Sequence, residues 1–110
     1  DYFLSKVIEL LKGNSQESDT AMLYVSDHGE SLGEGGLYLH GMPYFMAPDE
    51  QIDVAAFMWL DDSISELFDK KIIKEKALLP QTHDSLFHTL LGLMDIETRV
   101  YQKNLDLSAK

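Results

Sequence analysis

The sequence has 110 residues, enough for one compact core, and its 45% hydrophobic and 25% charged content excludes a disordered chain. Nine Lys+Arg against nineteen Asp+Glu give a net charge of −10, which excludes a nucleic-acid binder and argues against adsorption to an anionic membrane surface. No run approaches the roughly 20 apolar residues of a membrane span, no signal peptide opens the chain, and the lack of cysteine excludes disulfides and thiolate metal sites within these residues.

Asp1 to Lys12 reads as a helix: Phe3, Val7, Leu10 and Leu11 recur at helical spacing, Leu4 and Ile8 widen the stripe, and Lys6, Glu9 and Lys12 lie opposite. Gly13 is its stop signal, and Asn14 to Thr20 a polar loop. The chain starts almost inside this helix, which suggests a piece of a longer protein. Ala21-Met22-Leu23-Tyr24-Val25 is a short unbroken apolar run, read as a strand buried on both faces, as in a parallel sheet. Helix, loop and strand make a βαβ-like unit without its first strand. Ser26 to Gly36 is then a polar loop with four glycines, at the carboxyl end of a strand, where open α/β sheets place their ligands.

Leu37 to Pro48 is irregular and aromatic-rich. Val54 to Leu60 is the second strand candidate, expected beside Met22 to Val25 in one sheet, with helices against it. Asp61 to Lys76 is a charged helix or helix-loop insertion, ended by Pro80. Thr82 reads as the N-cap of a helix whose apolar face is Leu86, Phe87, Leu90, Leu91 and Met94, with Asp84 well placed in its first turn. The tail after Thr98 carries little pattern. The fold class is α/β.

Asp27 and His28 sit side by side where the first strand gives way to the glycine loop. Adjacent side chains on a regular strand point to opposite faces, but at a strand end the chain can turn and bring both to one ion. Such oxygen and nitrogen donors suit Zn²⁺. The alternative is an Asp-His turn whose carboxylate caps backbone amides. His40, flanked by Gly41 and Pro43, is unlike a core histidine; it is a candidate substrate contact, second-metal ligand or donor to a ligand, or else a loop histidine bonded to backbone. Glu30 and Glu34 are candidates to orient a metal ligand, or solvated loop residues. His83 and His88 read as structural, and Trp59 as core.

The segments Tyr24-Val25-Ser26-Asp27-His28-Gly29-Glu30-Ser31-Leu32-Gly33-Glu34, Leu37 to Pro43, Ala47-Pro48, Phe57-Met58-Trp59 and Thr82 to Gly92 together resemble the membrane-anchored lipid A phosphoethanolamine transferases. That family, of the alkaline phosphatase/sulfatase superfamily, includes the enzymes behind transferable colistin (polymyxin) resistance. The Asp-His-Gly step alone is shared by the whole superfamily; its combination with the Tyr38 to Pro43 stretch is far more specific. Gly35 stands where many members have asparagine, and Ala55 where proline is common.

The resemblance implies the C-terminal part of an alkaline phosphatase-like α/β/α sandwich, with residues 1–110 as one piece of a periplasmic catalytic domain held at the bacterial inner membrane by N-terminal helices outside this sequence. It implies transfer of phosphoethanolamine from phosphatidylethanolamine to lipid A through a phosphothreonine. Asp27 and His28 match two zinc ligands, and His40 matches a histidine near the phosphoethanolamine or a second zinc. The threonine nucleophile and a glutamate ligand lie upstream, so these residues alone are expected to be inactive, and two ligands are too few to hold zinc tightly. A related sulfatase or phosphoglycerol transferase, or a non-catalytic piece, are the competing readings. An apolar strand left without a neighbour would favour association into a homodimer.

Overall fold

The computed structural model describes residues 1–110, the side chains of Ser65 and Glu66 excepted. The chain divides into two compact units, Asp1–Leu60 and Asp61–Lys110.

The first unit opens with helix α1 (Tyr2–Asn14). Leu4, Val7, Ile8 and Leu11 form its half-buried face, while Phe3 and Leu10 are exposed. The expected Gly13 stop lies inside the last turn, and the helix closes on Ser15, whose amide and hydroxyl both donate to the Lys12 carbonyl. Strand β1 (Ala21–Val25) follows. The polar excursion holds two short strands, β2 (Ser31–Leu32) and β3 (Tyr38–Leu39), paired antiparallel, and a single helical turn, α2 (Asp49–Ile52). Strand β4 (Ala56–Leu60) ends the unit.

The two apolar runs are neighbours, as expected, but they pair antiparallel, with Tyr24 opposite Phe57 and Met22 opposite Trp59. They are also half-buried rather than fully enclosed: Met22 to Val25 and Met58 to Leu60 are all of intermediate exposure. An unbroken apolar run reports two apolar faces and says nothing of strand direction. The rings of Tyr24 and Phe57 stack at 5.2 Å, a cross-strand pair worth about 0.5–1.5 kcal/mol beyond its buried area. The Ser26 amide donates to Ala55 O at 3.0 Å, so the ladder runs one step past β1 and pinches residues 26–55 into one loop closed at its base.

The second unit contains a 3-10 turn at Ser63–Glu66, helix α3 (Lys70–Ala77), helix α4 (Asp84–Leu93) and a 3-10 turn at Lys103–Leu105. Asp69 caps α3, accepting from the amides of Lys71 and Ile72. Thr82 does not cap α4. Its hydroxyl donates instead to the Asp84 carboxylate at 3.3 Å, and the helix starts after His83, which already has helical dihedrals.

Ile64 and Ile73 are the apolar residues fully buried among those described, and buried polar groups outnumber them. In the second unit those groups fasten the tail. The Asp106 carboxylate accepts from the Tyr101 hydroxyl at 2.6 Å and from the Ser108 amide and hydroxyl at 2.7 and 2.6 Å. On α4, Thr89 Oγ1 accepts the Leu107 amide, and buried His88 accepts the Gln102 amide on Nδ1. Lys76 donates to the carbonyls of Asp106 and Ala109. His88 is thus structural, as expected.

Candidate metal centre

The pinched loop carries Asp27, His28, Glu30 and His40. His28 Nδ1 lies 2.8 Å from the Gly29 carbonyl oxygen. A carbonyl only accepts, so Nδ1 carries a proton, and in the neutral ring it is Nε2 that keeps the lone pair. That lone pair is the one a metal uses. His28 Nε2 stands 3.9 Å from Asp27 Oδ2. Two ligands each about 2.0–2.2 Å from one tetrahedral ion lie about 3.3–3.6 Å apart, so a closure of a few tenths of an ångström brings this pair onto a shared cation. The other Asp27 oxygen accepts the His28 amide at 3.1 Å. One oxygen thus caps a backbone amide, as in an Asp-His turn, and the other faces the ring at 3.9 Å. The Ser26 hydroxyl donates to the His28 carbonyl at 2.9 Å and tightens the turn.

His40 arrives from β3. Leu39, the residue before it, has φ 68°, in the left-handed region that costs a non-glycine residue about 1–2 kcal/mol. His40 Nδ1 lies 2.9 Å from Glu30 Oε2, so the carboxylate, not the backbone, holds this ring. By the same argument its proton sits on Nδ1 and Nε2 is free to accept. A carboxylate behind a histidine is the arrangement that fixes tautomer and orientation in metal sites. The two imidazoles meet at 3.8 Å between centroids, tilted by 31°.

His28, Glu30 and His40 each offer a donor atom within 4.8 Å of the others. The structure thus gathers His28 with both His40 and Glu30, and leaves Asp27 highly exposed beside them. Glu34 stands apart from this group: it accepts the Leu32 amide at 2.7 Å. Its own backbone amide, then that of Leu32, holds its carboxyl below the usual carboxylate range. Sequence reasoning missed Gln51 and Ser31, both buried beneath the loop, since neither residue type signals a site by itself.

His28, Glu30 and His40 thus form a candidate metal site on a loop at the strand end of an α/β scaffold. A model of the sulfatase family matches residues 1–96, and the chain belongs to that family. Among its relatives, phosphatidylethanolamine transferase Mcr-2 of Escherichia coli is 48% identical over 96 residues, covering 87% of this chain and 16% of its own. The C-terminal periplasmic domain of phosphoethanolamine transferase EptC from Campylobacter jejuni superposes with a TM-score of 0.86 at 42% identity, over 98% of this chain and 34% of that one. The integral membrane lipooligosaccharide phosphoethanolamine transferase A from Neisseria meningitidis gives 0.90 at 40% identity, over 97% and 20%. The fold is thus the alkaline phosphatase-like α/β fold of those periplasmic domains. The chain spans about a fifth of the length of the curated relatives it matches.

Proposed function

We propose that this chain contributes Asp27 and His28 to the zinc site of a transferase that moves phosphoethanolamine from phosphatidylethanolamine to lipid A. The observation that carries the reading is the 3.9 Å approach of His28 Nε2 to Asp27 Oδ2, with the Nδ1 proton already engaged by Gly29. The names of the relatives support the group transferred and its donor. Bound zinc supplies a Lewis acid that activates a hydroxyl and offsets charge on phosphoryl oxygens.

The reaction has two displacements. A threonine hydroxyl outside these 110 residues attacks the phosphorus of phosphatidylethanolamine, the bond to the diacylglycerol oxygen breaks, and phosphothreonine carries the phosphoethanolamine. A phosphate oxygen of lipid A then attacks the same phosphorus, and threonine leaves with its proton restored. Within this chain Asp27 and His28 hold the metal. The Glu30 carboxylate, bonded to His40 Nδ1 at 2.9 Å and part-exposed beside the pair, is an anion that suits the ammonium of the ethanolamine arm.

The reading places the site on the periplasmic face of the inner membrane. No helix among the described residues is long and apolar enough to cross a membrane. The outer edges of β1 and β4 have no strand partner among the described residues, and a symmetric dimer of the 110-residue chain would cover one of them. Sedimentation of the purified chain decides that point; a monomer at high concentration overturns it. For the function, Asp27→Ala and His28→Ala in the full-length parent should each lose bound zinc and most transfer of phosphoethanolamine to lipid A. Full zinc content and near-normal turnover in both variants, or sulfate-ester hydrolysis with no such transfer, refutes the reading.

A further inference from the structure

We propose that Gln51 is the positioning residue that holds the two halves of the site together. It sits on α2, more than ten residues from either histidine, yet it bonds to both arms of the loop. Its carbonyl accepts the Gly29 amide at 3.0 Å, between His28 and Glu30. Its side-chain Nε2 donates to Ser31 Oγ at 2.9 Å, next to Glu30. Its Oε1 accepts the Met42 amide at 3.4 Å, two residues past His40.

Burial gives these bonds their weight. Gln51 is 6% exposed and Ser31 is 1% exposed, while His28 and His40 above them are open to solvent. A buried amide that loses a partner is left desolvated and unpaired, so the geometry in which all of its bonds are made is strongly selected. That geometry fixes the separation of the 28–31 arm from the 40–42 arm. The contacts above it, the His40–Glu30 bond and the 3.8 Å ring pair, are exposed and depend on that separation. Gln51 touches none of the donor atoms and acts through backbone and Ser31.

The inference rests on the proposed function only for what the histidines bind; its main test needs no metal. In the full 110-residue chain, ring protons of His28 and His40 should show mutual ring-current shifts by NMR. Gln51→Met keeps the length and the backbone bond to Gly29 but removes both side-chain bonds. It should abolish those shifts while β1 and β4 amide shifts stay put, and in the full-length parent it should weaken Zn²⁺ binding, measured by chelator competition, about tenfold, the low end for outer partners of a metal site. Gln51→Glu should rescue both readouts, because the carboxyl still accepts the Met42 amide and now accepts from the Ser31 hydroxyl. Ser31→Ala cuts one arm and should give a smaller loss in the same direction. Gln51→Met with native ring shifts overturns the proposal, as does Gln51→Glu as defective as Gln51→Met. If Gln51→Met does not fold, native ring shifts in Ser31→Ala overturn it. A full-length parent that binds no Zn²⁺ in any variant refutes the proposed metal and leaves the ring shifts to decide on Gln51.

Discussion

A single methyl group at Gly29 should disable the site, for a reason of space alone. Gly29 has no positive φ, so alanine can adopt its backbone conformation. A Cβ built there, however, collides with the Glu50 carbonyl oxygen and lies 3.0 Å from Glu50 C and 3.2 Å from Gln51 C. These are backbone atoms, and no side-chain rotation relieves them. Either α2 retreats or the 28–30 arm lifts, and both moves stretch the 3.0 Å bond from the Gly29 amide to Gln51 O. Overpacking of this kind costs about 1–3 kcal/mol, and losing the bond adds about 1 kcal/mol. Gly29→Ala should therefore destabilise the loop by about 2–4 kcal/mol. Hydrogen exchange of the Ser26 and Met42 amides, which sit at the base and on the far arm of the loop, reads that local loss. Gly35→Ala is the control. Gly35 has φ 60° and open space around it, so alanine meets only the left-handed penalty of about 1–2 kcal/mol and leaves the His28–His40 contact intact. Native protection and an unshifted ring pair in Gly29→Ala would show that the close approach to Glu50 does not shape the site.

Tyr101 is pushed up to about 12, first by its bond to Asp106, then by burial and the Asp106 charge. Its contribution to stability should be complete below about pH 10 and fade as pH rises from there through about 12; absorbance titration should find one late tyrosine among the five, returning to the ordinary range in Asp106→Asn. Glu34, held low by its own and the Leu32 amide, stabilises its turn above the ordinary carboxylate range and loses that contribution as pH falls through its lowered pKa; carboxyl NMR of wild type against Glu34→Gln checks the direction. Gly92→Ala should free the tail, since a Cβ there collides with the Asp106 carboxylate and lies 2.8 Å from Ser108 Oγ; loss of exchange protection at Leu107 and Ser108, at a cost of about 1–3 kcal/mol, is the expected result, and full protection contradicts it.

The elements legible in the sequence are those that repeat a hydrophobic period. Helix α1, strands β1 and β4 and the α4 segment all stand where their apolar residues placed them, but α4 buries Ser85, His88 and Thr89 and leaves Phe87, Leu90 and Met94 of its expected apolar face exposed. Strand direction was not legible, because Met22 to Val25 and Met58 to Leu60 are apolar at every position and such runs fit a parallel or an antiparallel neighbour alike. The tail from Thr98 was illegible for a different reason. It is held by Tyr101, Asp106 and Ser108 through a polar network with no period, and a network of that kind is visible only once the chain has folded. Gly35 illustrates a residue whose family alternative makes physical sense only afterwards. At φ 60°, glycine and asparagine are the residues that fit with least strain, so the departure from asparagine preserves the turn.

For the site, the chemistry of the residues carried further than their order along the chain. Asp27 and His28 are adjacent, and a strand-to-loop transition was enough to suggest that they serve one ion. His40 is twelve residues on, and nothing in that spacing says that Glu30 grips its Nδ1. The pairing arises because β2 and β3 fold back with Ser31 opposite Leu39, which places Glu30 and His40 just outside the same rung of the ladder. Left-handed Leu39 then turns the chain at the step where His40 must face Glu30 rather than continue the strand. The proposed ligand pair is thus encoded locally, in two consecutive residues, whereas the placement of the histidine beside it depends on a hairpin. Changes at Asp27 or His28 should accordingly remove the cation and leave the loop standing, while changes at Gln51, Ser31 or Gly29 should loosen the loop and weaken the cation only as a consequence.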